Sequence, residues 1–219
     1  MSDKKGQETV SRHTTLTAYH YSLMLGVLLE LQRLKRLDRT GWVLRGLPAG
    51  AESVASHSYG VALAAMLLAD ECMARGVRVN VERVLRLALL HDLQEARTGD
   101  MPRTVADYYG KETRRRAERA AFDDIMRGAR RAESYGALHE DYEDRASLEA
   151  RLVKAADVID LLAQALAFER AGARGLEEFW EGAESRDFGL EGASREVVRE
   201  VVASLVRARA EINSVAGRQ

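Results

Sequence analysis

Apolar residues recur at helical spacing along almost the whole chain, and no stretch alternates as a half-buried strand must. Leu16, Leu23, Val27, Leu31 and Leu34 step by seven, four and three. A second helix is expected over Ser53 to Arg75, stopped by Gly76. A third starts at Asn80, a good N-cap, and carries Val81, Val84, Leu85, Ala88 and Leu89 to an end near Thr98-Gly99. Further helices are expected over Lys111–Arg131, Arg145–Ala171 and Ser194–Ile212, with a short one near Gly175–Gly182. Gly41 to Gly50 and Ala132 to Asp144 read as loops, and Pro102 suits the opening turn of one more segment. With only 2 prolines to interrupt it, the pattern predicts an all-α helical bundle and a single domain. Residues 1–13 are expected to form a tail, with the core over about 16–182 and the last helix over about 194–212.

Composition narrows the function. A chain of 219 residues with 46% hydrophobic and 31% charged residues can bury a sizeable core. Thirty-three basic against 34 acidic residues argue against a broadly basic surface, so no nucleic acid polymer is expected as a partner. The longest apolar run, Val61 to Ala69, is far too short to cross a membrane. The single cysteine, Cys72, excludes an internal disulfide and an all-thiolate zinc site, and reads as a small buried hydrophobe. The opening MSDKKGQETVSRH lacks the apolar run of a secretory leader, so a cytoplasmic location is expected. Arg114-Arg115-Arg116, set among Glu112, Glu118, Asp123 and Asp124, reads as a solvated helix face.

Four features break otherwise apolar helices with groups able to bind metal. His57 sits about one turn inside ESVASHSYGVALAAMLLA. His91-Asp92 ends the apolar run LRLALL. Glu95 follows at a spacing that puts it on the same helix face as both. Asp157, in LVKAADVIDLLAQAL, is expensive there unless paired or bound to a cation, and Asp160 is a similar candidate. Taken singly, each has an ordinary reading: a satisfied core histidine, a helix-end charge cluster, a Lys154–Asp157 contact at i, i+3. Taken together, two imidazoles and two carboxylates suit a borderline divalent ion held in a bundle core. His13, His20 and His139 read as structural or solvated.

The H…HD…D order, with HD closing an apolar helix, resembles the HD-domain superfamily of metal-dependent phosphohydrolases. The longer stretches ESVASHS, HDLQEARTGDMPRTV and VKAADVIDLL resemble its 5′-deoxynucleotidase branch, over about Leu31 to Ala167. The resemblance implies one divalent metal ion (Mn, Co, Ni, Fe, Zn or Mg) held by His57, His91, Asp92 and Asp157. It implies that Glu95 handles proton transfer and that Asp100 positions the nucleophile or the sugar. It implies that Arg45 contacts the phosphate and that Trp42 shapes the nucleotide pocket. Members often carry an acidic residue just before the first histidine, where this chain has Ser56, a change beside the ligand rather than in it.

The implied reaction removes the 5′-phosphate of (deoxy)ribonucleoside monophosphates by attack of a metal-bound water, with a small-molecule nucleotide as substrate and a homodimer as the assembly. A cation offsets the repulsion between hydroxide and a dianionic ester and lowers the pKa of water toward about 7. Two other readings stay open. One is hydrolysis of another phosphoester, such as a nucleoside triphosphate or a signalling nucleotide. The other is a non-catalytic helical protein with a structural metal site. The broad apolar face of the last helix, Val197 to Val206, can pack on the core or on a second subunit.

Overall fold

The structure is a computed structural model that describes residues 24–216, without the side chains of Arg103, Thr104, Ala106 and 213–216. The expected tail, His13, His20 and the start of the first helix lie outside the described residues. Helix α1 covers 24–34. It is followed by α2 (Thr40–Val43), α3 (Val54–Ala74), α4 (Val81–Leu90), α5 (Glu95–Thr98) and α6 (Arg103–Tyr109). The remainder comprises α7 (Lys111–Met126), α8 (Ala132–Asp144), α9 (Leu148–Arg170), α10 (Glu177–Trp180) and α11 (Gly192–Ala216). No strand occurs among the described residues beyond an isolated bridge between Asp38 and Ser53. The fold is all-α, as the periodicity predicts.

Side-chain caps start the three helices that matter most. Ser53 accepts the Ser56 N–H at 3.1 Å, Asn80 the Arg83 N–H at 3.0 Å and Ser147 the Ala150 N–H at 3.0 Å. Each such cap contributes about 1 kcal/mol. Helices α3 and α9 form the central pair, with α4 and α11 packed against them. Their shared seam is small and fully buried: Val61, Ala65 and Ala69 on α3, with Ala155, Ala156, Leu162 and Ala165 on α9. Small side chains bring the two backbones close, so polar groups on facing turns meet. Helix α11 buries Val197, Val198 and Val202 in this same core. Cys72 is fully buried there as a small hydrophobe. A smaller cluster joins Leu34 of α1 to Val54, Leu93, Ala96, Phe122 and Ile125.

Two expectations need correction. Ala132–Asp144 is a helix, not a loop. Its buried face is Gly136, Leu138, His139, Asp141 and Tyr142, so only two conventional apolar residues mark it in the sequence. Asp141 is satisfied there by Arg83 at 2.6 Å and by the Ser147 hydroxyl at 2.6 Å, and the His139 ring lies 4.3 Å from that of Phe122. The third expected helix also ends early, at Leu90. Leu93, Gln94, Glu95 and Ala96 are buried in succession, which no single face of a straight helix allows. The chain therefore tightens into i→i−3 bonds, Leu93 to Leu90 and Glu95 to Asp92, before α5 begins.

Candidate metal centre

His57 lies one turn into α3, whose start is set by the Ser53 cap, and its ring is completely buried. Its Nδ1–H donates to Asp160 Oδ2 at 2.8 Å. That bond aims Nε2 at Asp157 Oδ1, 3.2 Å away, and at Asp92 Oδ2, 3.7 Å away. His91 caps the C-terminus of α4, and its Nδ1–H donates to the Ala88 carbonyl at 2.7 Å. Its Nε2 then faces Asp92 Oδ2 at 3.1 Å. In both histidines a hydrogen bond on one nitrogen fixes the ring and frees the other, as metal-binding imidazoles require.

The donor atoms of His57, His91 and Asp92 all lie within 4.8 Å of one another. Both Nε2 atoms are buried without a hydrogen-bond partner among the described residues. Asp157 joins through His57, while its Oδ2 accepts from Tyr142 at 3.2 Å and from Lys154 at 2.7 Å. The Lys154 contact expected from the spacing is therefore present, and Asp157 still turns its other oxygen to His57. Lone pairs crowded together in a buried place call for a cation, so this donor set fits a divalent ion. The same field acts on a proton: burial disfavours the His57 imidazolium, but Asp157 and Asp160 outweigh it and lift its pKa to about 9. Burial likewise disfavours the Asp92 carboxylate, and the His91 and His57 rings outweigh it, holding its pKa below the ordinary range.

Glu95 opens α5 beside this cluster, so its place comes from the turn rather than from a shared helix face. It is buried, and its Oε2 has no partner among the described residues. Burial, then the neighbouring Asp92 and Asp100, push its pKa up to about 10. Asp100 acts as a clamp. Its Oδ2 accepts the Thr40 N–H at 2.6 Å, and its carbonyl accepts the Thr40 hydroxyl at 2.6 Å.

That clamp holds Arg39, which sequence reasoning missed. Arg39 Nη1 lies 3.5 Å from Asp92 Oδ2 and 3.7 Å from Asp100 Oδ1. Burial works against its charge, but Asp92 and Asp100 more than compensate and hold its pKa above the ordinary value. Arg45, the arginine singled out in the sequence, instead pairs with Glu178 of α10. Trp42 is likewise a core residue: it is buried, with Phe168 and Phe179 against its ring, and its Nε1–H donates to Glu52 at 2.5 Å. Two arginines flank Trp42 in the chain, and nothing in a single sequence ranks them. Asp160 stands in the sequence only as a further carboxylate, and the signal that points to it is Gly60, a glycine inside an apolar helix. An added Cβ at Gly60 would stand 2.0 Å from Asp160 Oδ1, which explains a glycine inside an apolar helix.

An imidazole on one helix, a His-Asp pair closing the next and a carboxylate on a third, packed as an all-α bundle around a buried cation-ready cluster, define the class of HD-type helical domains. The chain belongs to the HD-domain family, whose pattern matches residues 31–186. It is 36% identical over 158 residues to the human protein named 5′-deoxynucleotidase HDDC2, covering 71% of this chain and 72% of that one. It is 37% identical over 140 residues to the Xenopus laevis protein of the same name, covering 63% of this chain and 65% of the relative, just under two thirds of its length. A solved structure of a conserved hypothetical protein from Pyrococcus furiosus superposes with a TM-score of 0.70 at 37% identity, covering 84% of this chain and 99% of that one.

Proposed function

We propose that this protein is a metal-dependent phosphohydrolase that removes the 5′-phosphate of (deoxy)ribonucleoside monophosphates. The observation that carries the reading is the buried convergence of His57 Nε2, His91 Nε2 and Asp92, with Arg39 against it. Relatives named 5′-deoxynucleotidase support the substrate class. His57, His91, Asp92 and Asp157 would hold one divalent ion, and that ion supplies charge neutralisation at a phosphoryl oxygen and a lowered pKa for water. The choice among Mn, Co, Ni, Fe, Zn and Mg follows from mixed nitrogen and oxygen donors, which favour no single one.

The chain's own residues take the remaining roles. Arg39, kept charged by its carboxylate neighbours, offers a planar fork to the phosphate. Asp100 positions Arg39 by anchoring Thr40. Glu95, buried beside the cluster with its Oε2 unpartnered among the described residues, is placed to transfer a proton between the attacking water and the leaving 5′-oxygen. Asp160 holds the His57 Nδ1 proton, so that Nε2 stays free. No described helix is long and apolar enough to cross a membrane, which accords with a cytoplasmic setting. A homodimer is part of the reading. Since α11 is taken up by the core, the surface that suits it is the exposed apolar face of α1, Met24, Leu25, Leu28 and Leu29, with Leu89 beside it.

The deciding experiment is a phosphate-release screen over nucleoside mono-, di- and triphosphates with each divalent metal in turn. Metal-dependent release from 5′-monophosphates is expected, and Asp92→Ala is expected to abolish it with helicity retained. Release from chelator-treated protein would overturn the proposal.

A further inference from the structure

A cavity of about 240 Å³ opens beside the cluster, with Asp92 in its wall. Five cations line it, Lys111, Arg114 and Arg115 from the start of α7, Arg145 from the end of α8 and Lys154 from α9, together with the carboxyl groups of Asp92, Glu118 and Glu143. Two members of the arginine run that reads as a solvated face in the sequence thus turn toward the site. Three of the five cations are already neutralised. Arg114 pairs with Glu118 at 2.6 Å, Arg115 with Asp144 at 2.5 Å and Lys154 with Asp157 at 2.7 Å. Lys111 and Arg145 have no carboxylate partner among the described residues, and both are exposed.

With Glu143 the one wall carboxyl outside these pairs and the metal centre, the wall keeps a positive excess that suits a phosphate group. The phosphate undergoing hydrolysis has its own guanidinium, Arg39, which lies against Asp92 and is not part of this cavity wall. A monophosphate needs one such place, and Lys111 and Arg145 stand apart from it. Arg145 adds a further observation. It caps α8 with a left-handed backbone, φ 53°, the one non-glycine residue with positive φ among those described. That conformation costs an L-residue about 1 kcal/mol, and glycine would adopt it freely. An arginine there brings a cation to the cavity at the expense of a better cap.

We propose that Lys111 and Arg145 form a second anion subsite beside the candidate metal centre, and that the site takes nucleotides bearing a second phosphate group. This rests on the nucleotide reading above. The second phosphate can sit on the 5′ chain, as in a nucleoside diphosphate, or on the ribose, as in a nucleoside 3′,5′-bisphosphate. Either presents a dianion that charge-assisted hydrogen bonds from a lysine and an arginine can hold.

The test is equilibrium binding to chelator-treated protein, in which no turnover is expected. The probes are deoxyadenosine 5′-monophosphate, 5′-diphosphate and 3′,5′-bisphosphate. At least one doubly phosphorylated probe is expected to bind about tenfold more tightly than the monophosphate, a modest worth for two charged contacts. Whichever probe shows the advantage locates the second phosphate. In the Lys111→Gln/Arg145→Gly double variant the ratio is expected to fall to about one. Arg145→Gly alone is expected to melt at or above the wild-type temperature, which separates loss of the subsite from loss of fold. Equal binding of all three probes to wild type, or an advantage that survives the double variant, overturns the subsite. An absence of phosphate release in the metal screen would overturn the hydrolase reading and leave this ratio standing as a separate result.

Discussion

Gly60→Ala isolates the part of the site that works through a neighbour. On an ordinary helix this exchange stabilises by about 1 kcal/mol, because alanine loses less backbone entropy. At Gly60 the new Cβ would lie 2.0 Å from Asp160 Oδ1 and 2.7 Å from Asp160 Cγ, inside any tolerable contact. The carboxylate must swing away, and its 2.8 Å bond to His57 Nδ1 goes with it. A hydrogen bond to a charged group is worth about 1.5–3 kcal/mol, so the loss exceeds the helical gain by roughly 1 kcal/mol. For a chain of this size that lowers the melting temperature by about 2–4 °C. The larger effect is on the metal. With its Nδ1 partner gone, His57 is free to rotate or change tautomer, and losing such a support weakens metal binding about 10–100-fold. Calorimetric titration of Mn²⁺ into wild type and variant measures this directly, with the His57 Nδ1 proton followed by NMR. Gly26→Ala serves as the control, since an added Cβ there meets nothing within 4 Å; it should leave metal affinity unchanged. Wild-type Mn²⁺ affinity in Gly60→Ala would refute the argument that Asp160 orients His57.

Three further outcomes are expected. Leu162 is fully buried in the main core, so Leu162→Ala should cost about 3 kcal/mol and lower the melting temperature by about 6–12 °C, whereas a loss below about 1 kcal/mol would mean the site is not packed as described. Arg39→Ala should cut kcat/KM about a hundredfold while Arg45→Ala stays within about twofold, and the reverse order in steady-state kinetics would restore Arg45 to the phosphate. Burial, helped by the nearby Arg119 charge, lowers the His139 pKa to about 4. The unfolded chain therefore binds a proton first, and this contribution is complete above about pH 6.5 and is lost as pH falls toward 4. The full difference is about 3 kcal/mol, and His139→Phe should flatten denaturation midpoints across that window; an unchanged slope would show that His139 titrates normally.

What the sequence could and could not convey follows from what each residue's environment contains. Helices α3 and α9 were legible because their apolar periodicity, caps and stops are local, and α4 was legible in its cap and periodicity but not in its end at Leu90. Helix α8 was hidden because two of its five buried residues are a histidine and an aspartate, and Asp141 is tolerable inside only through Arg83 and Ser147, 58 and 6 residues away. The same distinction separates the site residues. His57, His91, Asp92 and Asp157 stood out because polar groups in apolar helices are costly wherever the chain goes. Arg39 did not, because its neighbours in sequence give an arginine nothing unusual. Its significance arises only when Thr40 is fastened to Asp100, 60 residues on, and the guanidinium is left against Asp92. Gly60 lies between these cases. A helix-internal glycine is a local anomaly, but its meaning is Asp160, 100 positions away. A lone glycine in a buried helix therefore marks where another element comes close, and the polar groups on that element are where to look for a side chain that positions a ligand.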